Sequence, residues 1–364
     1  MTEKLALGLE GVIAVETALS DVDGEAGRLV LCGHPVESVA ERAGLVDAFG
    51  LLLGDGLPAP SERAKLVRVL GEGRVRARER WRGTGLELTD AMSAVRAAVG
   101  SLDEHALGAS QEEQAATLAG VVALAATGWA RRRQALEPLA PDVELDPESD
   151  FLRMLRGEPP SRAEADALGT YFFTVSDHGM NASTFTARVI ASTNADLVSA
   201  ITGAVGALKG PLHGGAPGPV LDMLDAIGEP DRARVWLEHE LASGRRIMGM
   251  GHRIYRVRDP RALVLERAVE RLEHAGEARS ARRLALARAV EREAVAELGR
   301  RHPERALKAN VEFYTAVLLE ALQIPRELFT ATFAASRVVG WVAHVFEQQQ
   351  VGRLIRPRSR YVGP

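Results

Sequence analysis

Three histidines at three separate places in the chain sit in unusual surroundings, each with a glycine next to it. His178 follows Asp177 and precedes Gly179, His213 lies in Leu212-His213-Gly214-Gly215, and His252 lies in Gly251-His252-Arg253. Glycine lets another molecule approach the backbone closely. An imidazole beside it can polarise a carbonyl, donate a proton or bond a carboxylate near neutral pH. Each histidine could equally be a turn residue bonded to backbone. None has metal-ligand spacing to another, so no metal site is expected. Arg337 lies in a helical stretch with Phe333, Ala334, Val338, Trp341 and Val342 around it. A guanidinium keeps its charge, so burial demands an anionic or hydrogen-bonding partner. That partner is either a protein acid such as Glu347 or a substrate carboxylate gripped in bidentate fashion. Arg261, in Asp259-Pro260-Arg261, and Arg356, in Ile355-Arg356-Pro357, pose the same question, with a solvated surface arginine as the alternative. Glu312 sits two residues after Asn310, which reads as a helix N-cap. It either stabilises the helix dipole or serves as a general base.

The elements that must position these groups read as helices. Leu265, Ala268, Val269 and Leu272 recur at i, i+3, i+4 and i+7, with Glu266, Arg267, Glu270 and Arg271 on the other face. Ser110 with Glu113 and Ser161 with Glu164 form capping boxes, and Gly228, Gly244 and Gly276 read as helix stops. The expected fold is all-α, about fifteen helices with a short β-like hairpin near Val12 to Leu31. Ala182 to Leu208 and Leu328 to Phe346 are apolar nearly all round, as helices are in a large core or at an oligomer interface. The stretch between them is more charged and more clearly amphipathic. It reads as a smaller helical domain, 216–317, inserted into a larger one formed by 1–215 and 318–364, with Gly214-Gly215 at the junction.

Composition narrows the function. A chain of 364 residues supports a large core and two domains. Its formal net charge of −4 leaves no basic footprint for nucleic acid. Cys32 is the sole cysteine, so no intramolecular disulfide can form and a reducing compartment is expected. The start has no basic, apolar leader pattern, and the run Leu118 to Ala130 is too short to span a bilayer. These features point to a cytoplasmic protein with no membrane partner.

Several blocks, in order, resemble the citrate synthase family over nearly the whole chain. They are Gly8-Leu9-Glu10-Gly11-Val12-Ile13-Ala14, Leu51-Leu52-Leu53-Gly54-Asp55-Gly56-Leu57-Pro58 and Asp177-His178-Gly179-Met180-Asn181-Ala182-Ser183-Thr184 running on through Gly215. Gly249 to Tyr255, Asp259 to Arg261 and Arg356-Pro357-Arg358-Ser359 complete the set. The resemblance implies an acyltransferase that joins acetyl-CoA to oxaloacetate without metal or redox cofactor. His213 would hold the thioester carbonyl, His252 would polarise the oxaloacetate ketone, and Glu312 would take the methyl proton. His178, Arg261 and Arg337 would bind oxaloacetate, as would Arg356 reaching in from the other subunit of a homodimer whose small domain closes. Three departures stand out. Cys32 and His34 occupy places where an arginine and an aromatic residue are common. Thr89-Asp90-Ala91-Met92 replaces a usual His-Pro-Met, and Glu312 replaces aspartate. A 2-methylcitrate synthase using propionyl-CoA, or a low-activity regulatory or binding homologue, are the alternatives.

Overall fold

The computed structural model describes residues 5–9, 11–215, 217–276, 278–305 and 307–364, without the side chains of 278–280. Glu10 of the N-terminal block and Ala216, the expected start of the small domain, lie outside the described residues. The chain opens on a small antiparallel sheet, β1 (Ser20–Asp23), β2 (Arg28–Leu31) and β3 (His34–Pro35), ordered β1-β2-β3. Ser20 pairs with Leu31 and Asp23 with Arg28. The sheet is shorter than the expected hairpin, because Val12 to Leu19 is not strand and much of it is exposed.

Everything larger is helical. The first six helices are α1 (Val36–Val39), α2 (Leu45–Leu53), α3 (Pro60–Trp81), α4 (Ala91–Gly100), α5 (Gln111–Arg133) and α6 (Pro147–Arg156). Then come α7 (Arg162–Val175), α8 (Ala182–Ala191), α9 (Leu197–Leu208), α10 (Pro217–Ile227) and α11 (Ala233–Ala242). The last four are α12 (Pro260–His274), α13 (Ala278–Arg301), α14 (Val311–Ala321) and α15 (Phe329–Val351).

Local chemistry sets the helix ends. The Ser110 hydroxyl accepts from Glu113 N at 3.1 Å, and the Ser161 hydroxyl accepts from Glu164 N at 3.3 Å. Both glutamates reach back to the serine amide, which completes each capping box. Gly228, Gly244 and Gly276 adopt positive φ just beyond α10, α11 and α12. The apolar stretch Ala182 to Leu208 is two helices rather than one. Asp196 accepts from Ser199 N and starts α9 afresh.

Helix α15 is the axis of the core and packs against α2, α4, α5, α7, α8 and α9. Among the described residues, Arg326–Val351 is the one segment long and apolar enough to cross a membrane. Within its most apolar window 89% is buried inside the protein, which marks a core helix. In the charged region, α11 and α12 pack on α13, and α10, α12 and α13 pack on α14. Helix α12 also lies against α7 and α1. Two groups of elements therefore meet along α7, α12, α14 and α15, and the unusual histidines and arginines lie around that seam.

Candidate active site

The His252 loop is zipped to the start of α14. Gly251 N donates to Lys308 O at 2.7 Å, Asn310 N donates to Gly249 O at 3.0 Å, and the Asn310 amide donates to Gly251 O at 2.9 Å. Gly249 has φ 73°, and a Cβ there would lie 2.8 Å from the Phe313 ring, so this turn admits only glycine without repacking. Asn310 caps α14 by accepting from Glu312 N at 3.0 Å, which holds Glu312 in the first turn. Asp259 ties the third element in. Its carboxylate accepts from Arg261 Nε at 3.0 Å, Arg261 Nη2 at 2.8 Å and Val311 N at 3.1 Å. One buried aspartate therefore orients Arg261 and anchors the helix that carries Glu312.

His252 has a defined tautomer. Its Nδ1 accepts from Ile254 N at 3.0 Å and Tyr255 N at 3.1 Å. The ring proton therefore sits on Nε2. That Nε2 lies 3.5 Å from Arg261 Nη2, so two donors face one another. Between such donors an oxygen of a ligand is the natural occupant.

His178 comes from the turn after α7. It is buried, its Nε2 lies 3.1 Å from the Tyr255 hydroxyl, and its ring meets that of His252 edge-on at 5.8 Å. Arg337 approaches from α15 and is 1% exposed. Its Nε donates to Val175 O at 2.6 Å, and its guanidinium stacks on Phe333 at 4.5 Å. Its Nη2 is buried with no partner among the described residues. Glu347 is not its counter-ion, because Glu347 pairs with Arg188 at 2.5 Å. Asp177 is the first of the charges that hold Arg337 cationic.

His213 joins through α8 and α15. Its Nε2 lies 2.8 Å from the Ser183 hydroxyl, which accepts from Trp341 Nε1 at 3.0 Å. Asn181 caps α8 and lies 2.8 Å from the same hydroxyl.

The electrostatics follow from burial beside fixed cations. Burial lowers both His213 and His252 to about 4, helped by Arg337 at the first and Arg261 at the second. Burial, then Arg261 and Arg337, holds His178 well below the ordinary imidazole range. All three act as neutral rings near pH 7. Burial pushes Glu312 up to about 7, against the pull of Arg261 and Arg337 and with a push from Asp259. A carboxyl poised there can take and return a proton at neutral pH.

His178, His252, Arg261, Arg337 and Glu312 are thus gathered at one seam from five stretches of chain. His213 adjoins them within the field of Arg337. Arg356 is not gathered: it lies on the exposed C-terminal tail. Sequence reasoning gave no role to Ser183, Tyr255 or Asp259. Tyr255 three residues after His252, and Asp259 two before Arg261, were visible signals. Ser183 became meaningful only when His213 folded against it.

A profile of the citrate synthase C-terminal domain matches residues 8–358. The chain is 38% identical over 371 residues to the putative citrate synthase 2 of Mycobacterium tuberculosis, covering 100% of this chain and 94% of that protein. It is 36% identical over 368 residues to the 2-methylcitrate synthase of the same organism, covering 98% and 90%. Among solved structures it superposes with TM-score 0.86 on citrate synthase from Thermoplasma acidophilum, in a ternary complex with carboxymethyl coenzyme A and oxaloacetate. That pair shares 29% identity, with 100% of this chain and 97% of the other covered. This chain belongs to the citrate synthase family and is an acyltransferase of that family.

Proposed function

We propose that the protein condenses acetyl-CoA with oxaloacetate to give citrate and CoA. Glu312 removes a proton from the acetyl methyl group while His213 donates a hydrogen bond to the thioester oxygen. The enol carbon attacks the oxaloacetate ketone, and the Nε2–H of His252 passes to the new alkoxide. Water then cleaves the citryl thioester, releasing CoA as a thiol. Arg261, Arg337 and His178 hold the two carboxylates of oxaloacetate. The helical domain 216–317 closes over the pair and keeps water out until the carbon–carbon bond has formed. No metal or redox cofactor takes part, and the reaction runs in the cytoplasm.

The observation that carries this reading is the pair of facing donors at His252 Nε2 and Arg261 Nη2, 3.5 Å apart, together with the buried Nη2 of Arg337, which has no partner among the described residues. The test is oxaloacetate-dependent thiol release, run in parallel with acetyl-CoA and propionyl-CoA. Faster turnover of acetyl-CoA is expected. One methylene in a pocket is worth only about 1–3 kcal/mol, so measurable propionyl-CoA turnover fits the same site. A preference for propionyl-CoA would move the assignment to 2-methylcitrate synthase. No thiol release with either would leave a binding homologue.

Arg356 belongs, in this reading, to the site of the neighbouring subunit of a homodimer. Its exposure on the tail supports this, as do the half-buried Val189 and Ile190 on α8. Variants lacking Arg356 or Arg337 should each be nearly inactive. After subunit exchange, a mixed dimer has one site with both defects and one with neither, so activity should return. Mixed dimers that are shown to form by mass and yet stay inactive would refute the shared site.

A further inference from the structure

Behind the substrate-facing cluster runs a second buried chain of polar groups that the condensation does not touch. Arg188, on α8, is fully buried. Its Nη1 bonds Glu347 Oε2 at 2.5 Å and His344 Nδ1 at 2.8 Å, and its Nε donates to Gln348 Oε1 at 3.0 Å. A guanidinium only donates, so His344 Nδ1 is the acceptor and the ring proton sits on Nε2. From there it is given to Asp177 Oδ1 at 3.2 Å. The other Asp177 oxygen accepts from the Ser20 hydroxyl at 2.5 Å and from Gly179 N at 3.3 Å, and Gly179 N also donates to Ser20 Oγ at 2.9 Å. At the far end, Ala18 N donates to Glu347 Oε1 at 2.9 Å.

We propose that this chain, Glu347–Arg188–His344–Asp177–Ser20, positions the His178 turn for oxaloacetate, with His344 and Ser20 as positioning residues. The inference rests on His178 and Arg337 being oxaloacetate ligands. Both residues flanking His178 are pinned, Asp177 by its carboxylate and Gly179 by its amide. Asp177 also acts on Arg337 through its field without occupying the guanidinium fork, which leaves Nη2 open for a substrate carboxylate. Helix α15 can press on this turn because position 340 is glycine. A Cβ there would sit 2.3 Å from Ser176 O and 3.1 Å from Asp177 Oδ1. The N-terminal sheet is part of the same support. Ser20 begins β1, and Gly24 in its turn accepts from Arg256 N at 2.8 Å in the His252 loop. One hairpin thus braces the loops of two proposed oxaloacetate ligands.

The test uses the full chain and steady-state thiol release. Ser20→Ala removes the hydroxyl at a half-buried sheet edge. It is expected to raise the KM for oxaloacetate roughly 10- to 100-fold, as small misplacements of a binding group do. The KM for acetyl-CoA and the unfolding temperature should stay near wild type, and Ser20→Thr should restore binding. His344→Leu should act in the same direction. His344→Gln should rescue it, since its amide can accept from Arg188 and donate to Asp177 as the ring does. Ser20→Ala with a wild-type oxaloacetate KM would overturn the positioning role. So would parallel losses for both substrates together with a lowered unfolding temperature, which mark a structural role only. A wild-type protein without oxaloacetate-dependent thiol release would instead overturn the parent reading.

Discussion

Glu312→Gln is expected to lower kcat by roughly 100- to 10,000-fold, the range that a positioned base contributes, while an unreactive oxaloacetate analogue still binds. The substitution keeps size and hydrogen-bonding capacity and removes basicity. It should also stop exchange of the acetyl-CoA methyl protons into deuterated water in the presence of that analogue. The pH profile adds a second readout. Burial holds Glu312 at about 7, so in the free enzyme kcat/KM should rise with pH through that value as the carboxylate forms. Any residual activity of Glu312→Gln should lack that limb. Stability should move the opposite way. The folded group binds a proton more tightly than its ordinary value of 4.5. Its contribution is therefore full below about 4.5 and lost as pH rises through about 7. Glu312→Asp retracts the carboxylate by about 1 Å, and misplacement on that scale costs on the order of 100-fold. Activity in the aspartate variant should therefore fall too. A rise would mean that the surrounding site keeps the geometry of the shorter acid. Condensation by Glu312→Gln near the wild-type rate would make Glu312 only a first-turn helix carboxylate.

Arg337→Leu should weaken oxaloacetate binding by roughly 10- to 100-fold, the cost of losing a charge-assisted contact. The fold should survive. Among the described residues Arg337 Nε donates to Val175 O, and the guanidinium lies on the Phe333 ring. Asp177 would not be orphaned, because His344, Ser20 and Gly179 already satisfy it. Calorimetric titration with oxaloacetate, beside a thermal melt, separates the two effects. Unchanged affinity in a folded variant would rule out Arg337 as a ligand.

Several features of this protein were legible before any coordinate. Helical periodicity, two capping boxes and three glycine stops follow from short-range chemistry, since a cap or stop involves residues within a few positions of one another. The all-helical fold followed from them. The residue types at 178, 213, 252, 261, 312 and 337 were conspicuous because glycine-flanked imidazoles and an arginine in an apolar helix need explaining. The sequence overreached where local signals were weak. A run of apolar residues from Ala182 to Leu208 hid the break that Asp196 makes, and the hairpin was drawn too long at Val12 to Leu19.

The partners of those conspicuous residues were decided by tertiary structure alone. Arg337 had Glu347 as a candidate counter-ion ten residues along the same helix. Packing gave Glu347 to Arg188 and left the Arg337 fork open. Ser20 and Asp177 are 157 positions apart in sequence and 2.5 Å apart in space. The proton positions on His252 and His344 follow from which donors face Nδ1, and those donors reach it only once the chain has folded. The raised pKa of Glu312 has the same origin, because burial and nearby arginines are properties of a neighbourhood. Residue type sets what a group can do, and its surroundings set its charge, tautomer and aim; for this chain those surroundings are assembled from segments far apart in sequence.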